Sequence, residues 1–216
     1  MHDRNYGRGK YSMTAYSGLD TCTIFDFETL SSNPSDGVVL SMAMLNYAEV
    51  RFTGDMPYTY QELLDNCKYI KFDVESQVKA FSRKIEKDTL EWWGKQNAEA
   101  KKVLNPSKDD RPITELHDFF ALHKATNMKK VFTRRNTFDP MFMSSICQAT
   151  GYPDPYPWWD VRDTISYIEG MSFGSDLKNN FMPDGLEEHF VHHDPRHDIA
   201  LDVMRMQTVA QAITAF

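Results

Sequence analysis

The feature that most constrains this chain is a pair of carboxylates set into a stretch whose other residues favour a buried strand. Residues 21–30 read TCTIFDFETL, and β-branched and aromatic side chains of this kind suit the pleated, half-buried surface of a sheet. Alternate residues of a strand project from one face. Asp26 and Glu28 therefore point the same way, and Phe27 between them points to the opposite side, as core. Two anions side by side at the end of an apolar strand repel each other unless a cation joins them. Hard divalent cations such as Mg2+ take oxygen ligands and keep positions for water or phosphate. The acid-x-acid spacing says little by itself. With 31 acids in 216 residues, chance gives roughly 4 such pairs, and the chain has three: Asp26/Glu28, Asp73/Glu75 and Glu86/Asp88. Context separates them. Asp73 and Asp88 sit where helices are predicted to begin, and capping accounts for both. Asp26 follows Thr23-Ile24-Phe25, where neither a cap nor a solvated face fits well.

The rest of the chain supplies the elements around this strand. A second strand is predicted over 38–47, after the turn Asn33-Pro34-Ser35-Asp36-Gly37, and a third over 68–72. Asp73 is placed to cap a helix over 74–84, Asp88-Thr89-Leu90-Glu91 to open one continuing through Leu104, and Pro112 to open one reaching about Thr126. Residues 130–134 read as a strand, Pro140 as the first position of a helix ending near Gly151, and 158–161 as the last strand. A polar loop covers 171–195. The terminal helix then places Ile199, Val203, Met206, Ala210 and Ile213 on one stripe, at spacings of 4, 3, 4 and 3. Met42 and Met44, two apart on a strand, read as core. Strands first, then strands alternating with helices, give an α/β or α+β domain. The start of the chain is polar, with Arg4, Arg8 and Lys10 against Asp3. Residues 1–20 are expected to form a flexible tail, and residues 21–216 a single domain.

Composition narrows the classes further. No apolar run approaches the ~18 residues of a membrane helix, so no membrane partner is expected. Cys22, Cys67 and Cys147 are far apart, odd in number and without a C-x-x-C pair, which suits free thiols in a reducing compartment, the cytoplasm. Lys and Arg total 24 against 31 Asp and Glu, a formal charge of −7. That balance argues against non-specific coating of nucleic acid, which rests on Lys and Arg neutralising phosphates. It leaves room for a nucleic-acid enzyme whose carboxylates hold metal ions.

Two further segments carry chemistry. Asp139 closes the strand and turn FTRRNTFD and precedes Pro140. It reads as an N-cap and also as a residue at the open edge where α/β ligands bind. The stretch 188–202, EHFVHHDPRHDIALD, holds three His-to-Asp pairs five apart: His189/Asp194, His193/Asp198 and His197/Asp202. Pro195 cannot sit inside a helix, so the terminal helix is expected to start after it; His189/Asp194 lies before that break and His193/Asp198 straddles it. Only His197/Asp202 places a histidine at the helix start and an acid one turn inside, where a neutral imidazole can take a proton from water. A structural Zn2+ held by His189, His192, His193 and His197 is a rival reading with no cysteine partner.

Taken in order, Asp26-x-Glu28, Asp139 in Asn-Thr-Phe-Asp, and His197 with Asp202 resemble the three motifs of the DEDDh, or DnaQ-like, 3′–5′ exonucleases. The likeness is to the exodeoxyribonuclease A type of T-even-like phages and its exoribonuclease relatives. Phe-Asp-Phe-Glu-Thr-Leu-Ser (25–31), Thr-Leu-Glu-Trp-Trp (89–93), Arg135-Asn136-Thr-Phe-Asp139 and Val161-Arg-Asp-Thr164 support that branch, and the resemblance covers about residues 21–216. It implies an α/β, RNase H-like fold with a five-stranded mixed sheet flanked by helices. It further implies hydrolysis of the 3′-terminal phosphodiester of single-stranded DNA to nucleoside 5′-monophosphates, with two divalent ions, Mg2+ or Mn2+, clamping the attacking and leaving oxygens. By analogy Asp26, Glu28, Asp139 and Asp202 are the metal ligands and His197 the general base. The family has a small residue two places after its histidine where this chain has Ile199, so the choice of histidine within 189–197 stays open.

The resemblance also suggests substrate contacts. Thr29 and Leu30, which follow the metal strand, are placed to meet the terminal nucleotide. Of Trp92 and Trp93, about 100° apart on a helix, one is expected in the core and the other stacked on a base. Arg135 and Asn136 are placed to touch phosphate or sugar, and Arg162 either does the same or pairs with an acid. The partner is a nucleic acid with a free 3′ end. An exoribonuclease on the same scaffold and an idle nucleic-acid-binding module are the alternatives, the oligomeric state is open with a homodimer among the options, and a phage origin would put the chain in its host's cytoplasm.

Overall fold

The structure is a computed structural model, and it describes residues 21–188 and 190–214. The tail expected over 1–20 and His189 lie outside the described residues. Five strands form one mixed sheet: β1 (Thr21–Thr29), β2 (Val39–Tyr47), β3 (Lys68–Lys71), β4 (Met128–Thr133) and β5 (Val161–Asp163). Their order is β3-β2-β1-β4-β5. The pairs β1–β2 and β2–β3 are antiparallel, while β1–β4 and β4–β5 are parallel. Helices flank it on both faces: α1 (Tyr60–Asn66), α2 (Val74–Phe81), α3 (Lys87–Gly94), α4 (Leu116–His123), α5 (Asp139–Thr150), α6 (Thr164–Met171) and α7 (Pro195–Thr214). The five-stranded mixed sheet with flanking helices is the architecture that the family resemblance implies.

Strand alternation sorts the core into two layers. Cys22, Ile24, Ala43, Leu45 and Phe132 pack beneath α7, with Ile199, Val203 and Met206 against them. Phe25, Phe27, Met42, Met44 and Val131 face the other way, against Phe120 of α4 and Phe142, Met143 and Ile146 of α5. Each fully buried side chain of this size contributes about 1.5–3 kcal/mol. Asp26 and Glu28 continue the row of Ile24, so they lie on the α7 side, where β1 runs out of apolar residues. β1 and β4 are parallel; β4 stops at Thr133, just past the Ile24–Phe132 pair, while β1 runs on to Thr29, and the start of α7 packs above.

Several boundaries differ from expectation. The last strand is Val161–Asp163, starting three residues later than the predicted run and sharing only Val161 with it. Trp158–Asp160 form a 3-10 turn after Pro157, and only from Val161 does the backbone pair with Val131 of β4. α3 begins after Glu86 rather than at Asp88 and stops at Gly94, with a separate 3-10 turn over Ala100–Leu104. Ile213 is 47% exposed, so the apolar stripe of α7 ends at Ala210. α1 and α6 were not anticipated. Both carry N-caps legible afterwards: Thr59 accepts from the Glu62 N–H, and Asp163 from the N–H groups of Ile165 and Ser166.

Candidate active site

Three chain segments bring carboxylates to the end of β1. Asp26 and Glu28 come from the strand itself. Asp139, the buried first residue of α5, accepts a hydrogen bond on Oδ1 from the Phe27 N–H at 3.0 Å, which fixes it beside Asp26. The third segment is the start of α7, and here the structure departs from the sequence reading. α7 begins at Pro195 itself, because the first helical position needs no N–H donor. His193 lies just before it with φ +61°, a left-handed backbone more often taken by glycine, asparagine, aspartate and histidine than by other residues. The His193 N–H points to the Asp198 carboxylate. One oxygen each of Glu28 and Asp198 and a ring nitrogen of His193 lie within 4.8 Å of one another.

The charge environment separates the two aspartates of α7. Burial drives the Asp26 carboxyl well above the usual carboxylate range, and Asp139, Glu28, Asp198 and Asp202 push it the same way. Glu28 is raised likewise, by burial and then by Asp198, Asp139 and Asp194. Burial lifts Asp139 to about 7 against the N–H bond from Phe27, and lifts Asp198 to about 7 with help from Asp202 and Asp194, opposed by Arg205 and the His193 N–H. Burial and the neighbouring carboxylates all raise Asp26 and Glu28, and among the described residues no cation offsets their charge. Asp202 differs. Its Oδ1 accepts from Arg134 at 2.8 Å and Arg205 at 2.9 Å, and its Oδ2 from Thr164 at 2.6 Å. The same guanidinium groups reach on to the backbone carbonyls of Asn179, Asn180 and Phe181. Asp202 thus anchors the segment before α7, paired with two arginines.

His197 also lies off the acid cluster. Its Nδ1 accepts from the Val191 N–H at 3.3 Å and meets Tyr60 Oη at 2.9 Å, so Nδ1 is the unprotonated nitrogen. The sequence reading set the His193/Asp198 pair aside because a proline stood between them. The two groups meet because a left-handed residue folds His193 back over the helix start. Burial, then His192, lowers the His193 pKa, which keeps its ring neutral and able to accept a proton near pH 7.

The other predicted contacts divide. Leu30 is core, packed with Val38, Leu40 and Trp93. Thr29 is buried, its hydroxyl donating to Ser31 O at 2.7 Å and its carbonyl accepting from the Trp93 indole at 2.9 Å. Ser31 and Ser32 instead line a cleft of about 670 Å³, with Lys87, Thr89, Trp92 and Phe138. Gly37 shapes the turn beside it: a Cβ there would meet Asn33 O and the Ser31 Cβ at 2.6 Å. Trp93 is buried at 1% and Trp92 is 41% exposed, the expected division between core and surface. Arg135 and Asn136 are exposed on the turn before α5, and the Arg135 N–H donates to Asp163 at 2.8 Å. Arg162 donates to the Trp159 and Val161 carbonyls.

Acids from β1, the start of α5 and the start of α7 thus meet where parallel strands end. The sequence model of the Rv2179c-like family, described as a 3′–5′ exoribonuclease domain, matches residues 22–202. The chain belongs to this exonuclease family. The exodeoxyribonuclease of enterobacteria phage T4 is 29% identical over 202 residues, covering 85% of this chain and 86% of that protein. Among solved structures, an ExoI/SSB-Ct complex superposes with a TM-score of 0.55 at 12% identity over 91% of this chain. The zinc-bound E. coli ExoI–ssDNA complex gives 0.54 at 15% identity, also over 91%. At these identities the likeness is one of fold, RNase H-like, and this chain spans 41% of the length of each of those structures. No helix among the described residues is long and apolar enough to cross a membrane.

Proposed function

We propose that this exonuclease removes the terminal nucleotide from the 3′ end of single-stranded DNA, using Asp26, Glu28, Asp139 and Asp198 to hold divalent cations and His193 as general base. The observation that carries this reading is the set of converging carboxylates that raise one another's pKa with no cation among the described residues against Asp26 or Glu28. Such a site is costly empty and suits hard cations, which favour oxygen ligands. Bound in this reading as two Mg2+ or Mn2+, the cations would supply Lewis-acid stabilisation of phosphoryl and water oxygens. The protein does the rest. His193 takes the proton of the attacking water at its ring nitrogen. Asp139 is held in place by the Phe27 N–H. Trp92 and Phe138 give the cleft beside Ser31 and Ser32 apolar walls for the terminal base. Asp202 and His197, the acid and base read from the sequence, take supporting places in this arrangement.

DNA is favoured because the phage T4 relative, matched over most of both chains, is an exodeoxyribonuclease. RNA is the second reading, favoured by the description of the matching family. Matched 5′-labelled DNA and RNA oligomers, digested in Mg2+ and in EDTA, decide between them. Stepwise shortening of DNA in Mg2+ alone is expected. Faster shortening of RNA would transfer the assignment to the second reading, and cleavage of either in EDTA would overturn the metal-dependent one.

A further inference from the structure

His193 is the least supported part of this site by its own backbone. It precedes α7, adopts φ +61°, and among the described residues no hydrogen bond holds its ring. Aromatic rings hold it instead. The Trp92 ring meets it edge to face, centroids 4.6 Å apart and planes at 76°, and Trp93 lies 6.1 Å away at 74°. Trp92 in turn packs edge to face on Trp93 at 5.2 Å. Trp93 is anchored to the metal strand, its indole N–H donating to Thr29 O at 2.9 Å, one residue beyond Glu28. A continuous path therefore runs from the end of β1 through two indoles of α3 to the histidine. Trp92 also forms a wall of the 670 Å³ cleft beside Ser32 and Phe138, so one side chain borders both the cleft and the histidine.

We propose that Trp92 is a positioning residue, whose ring holds the His193 imidazole toward Glu28 and Asp198. The proposal rests on the reading of His193 as general base. It separates Trp92 from a residue that only stacks on a nucleotide, because a stacking residue acts through the base of the substrate and a positioning residue acts without it. Edge-to-face ring pairs have coupling that corresponds to about a 2- to 10-fold effect when one ring is removed.

Three variants test this: Trp92→Leu, Trp92→Phe and His193→Ala. The first measurement is kcat in Mg2+ on two strands, one ending in an ordinary nucleotide and one in an abasic sugar phosphate. Trp92→Leu is expected to lower kcat by about 2- to 10-fold on both strands, and Trp92→Phe to recover most of the loss. The second is the NMR shift of the His193 ring protons in metal-free protein, assigned by their disappearance in His193→Ala. Trp92→Leu should move them, because they lose the ring current of the indole, and Trp92→Phe should move them less. A Trp92→Leu defect confined to the strand with a base, or unmoved His193 ring signals, would overturn the positioning role. Wild-type kcat in His193→Ala would instead overturn the general-base reading on which it rests.

Discussion

Replacing Asp198 by asparagine should make the metal-free protein more stable at pH 8. The Asp198 carboxyl is lifted from 3.8 to about 7 by burial and by the negative charges of Asp202 and Asp194. Each pKa unit corresponds to about 1.4 kcal/mol, so holding this group ionised above pH 7 costs the folded state up to about 4 kcal/mol. Asparagine keeps the shape and removes the charge. With relaxation of the site the gain should be about 2–4 kcal/mol, or about 4–15 °C in Tm for a chain of this size. The sign follows from linkage. Between pH 4 and pH 7 the folded state binds more protons than the unfolded one, so wild-type stability falls as pH rises through this window. The advantage of Asp198→Asn is therefore greatest at pH 8, about a third as large at pH 5, and absent below the unfolded value. Thermal melting followed by circular dichroism, in EDTA at both pH values and then with Mg2+, measures it. Mg2+ should stabilise the wild type at pH 8 and have much less effect on the variant. A variant less stable than wild type in EDTA at pH 8, and still fully stabilised by Mg2+, would refute the reasoning.

Asp202→Ala should behave in the opposite way, losing about 3–5 kcal/mol because two arginines lose their buried partner, while Mg2+ still raises its Tm; melting in the same buffers checks both. His193→Ala should lower kcat by about 10²–10⁴-fold, whereas His197→Ala, whose ring faces Tyr60 and Val191, should lower it by less than about tenfold; initial rates on a labelled oligomer separate them. Trp93→Phe leaves the buried Thr29 carbonyl without its 2.9 Å donor and should cost about 1–3 kcal/mol in urea denaturation.

Much of this was legible in the sequence because it depends on local periodicity. Alternation along 21–30 put Asp26 and Glu28 on one face and Phe27 on the other, and the structure has Phe27 packed on Phe142. Pro140 marked the start of α5 and so the place of Asp139. The arrangement of 188–202 was not legible, since it turns on one residue's backbone. Spacing offered three equivalent His-to-Asp pairs, and a helix-based rule favoured the pair on a single helix. Only the left-handed turn at His193 brings a residue outside α7 over its first turn. The partners of Asp202 were not legible either: Arg205 is three residues on, but Arg134 and Thr164 are far away in the chain. Likewise Trp92 and Trp93 differ by one position, and the indole bond to Thr29 that separates them is a tertiary contact.

The most direct test is nucleotide release from a 5′-labelled single-stranded DNA oligomer by the wild type and by Asp198→Asn. The wild type in Mg2+ should shorten the strand one nucleotide at a time from its 3′ end, releasing 5′-monophosphates, and should release none in EDTA. Asp198→Asn should be slower by at least about 10³-fold. Release by the wild type in EDTA, or a wild-type rate from Asp198→Asn, would contradict the account.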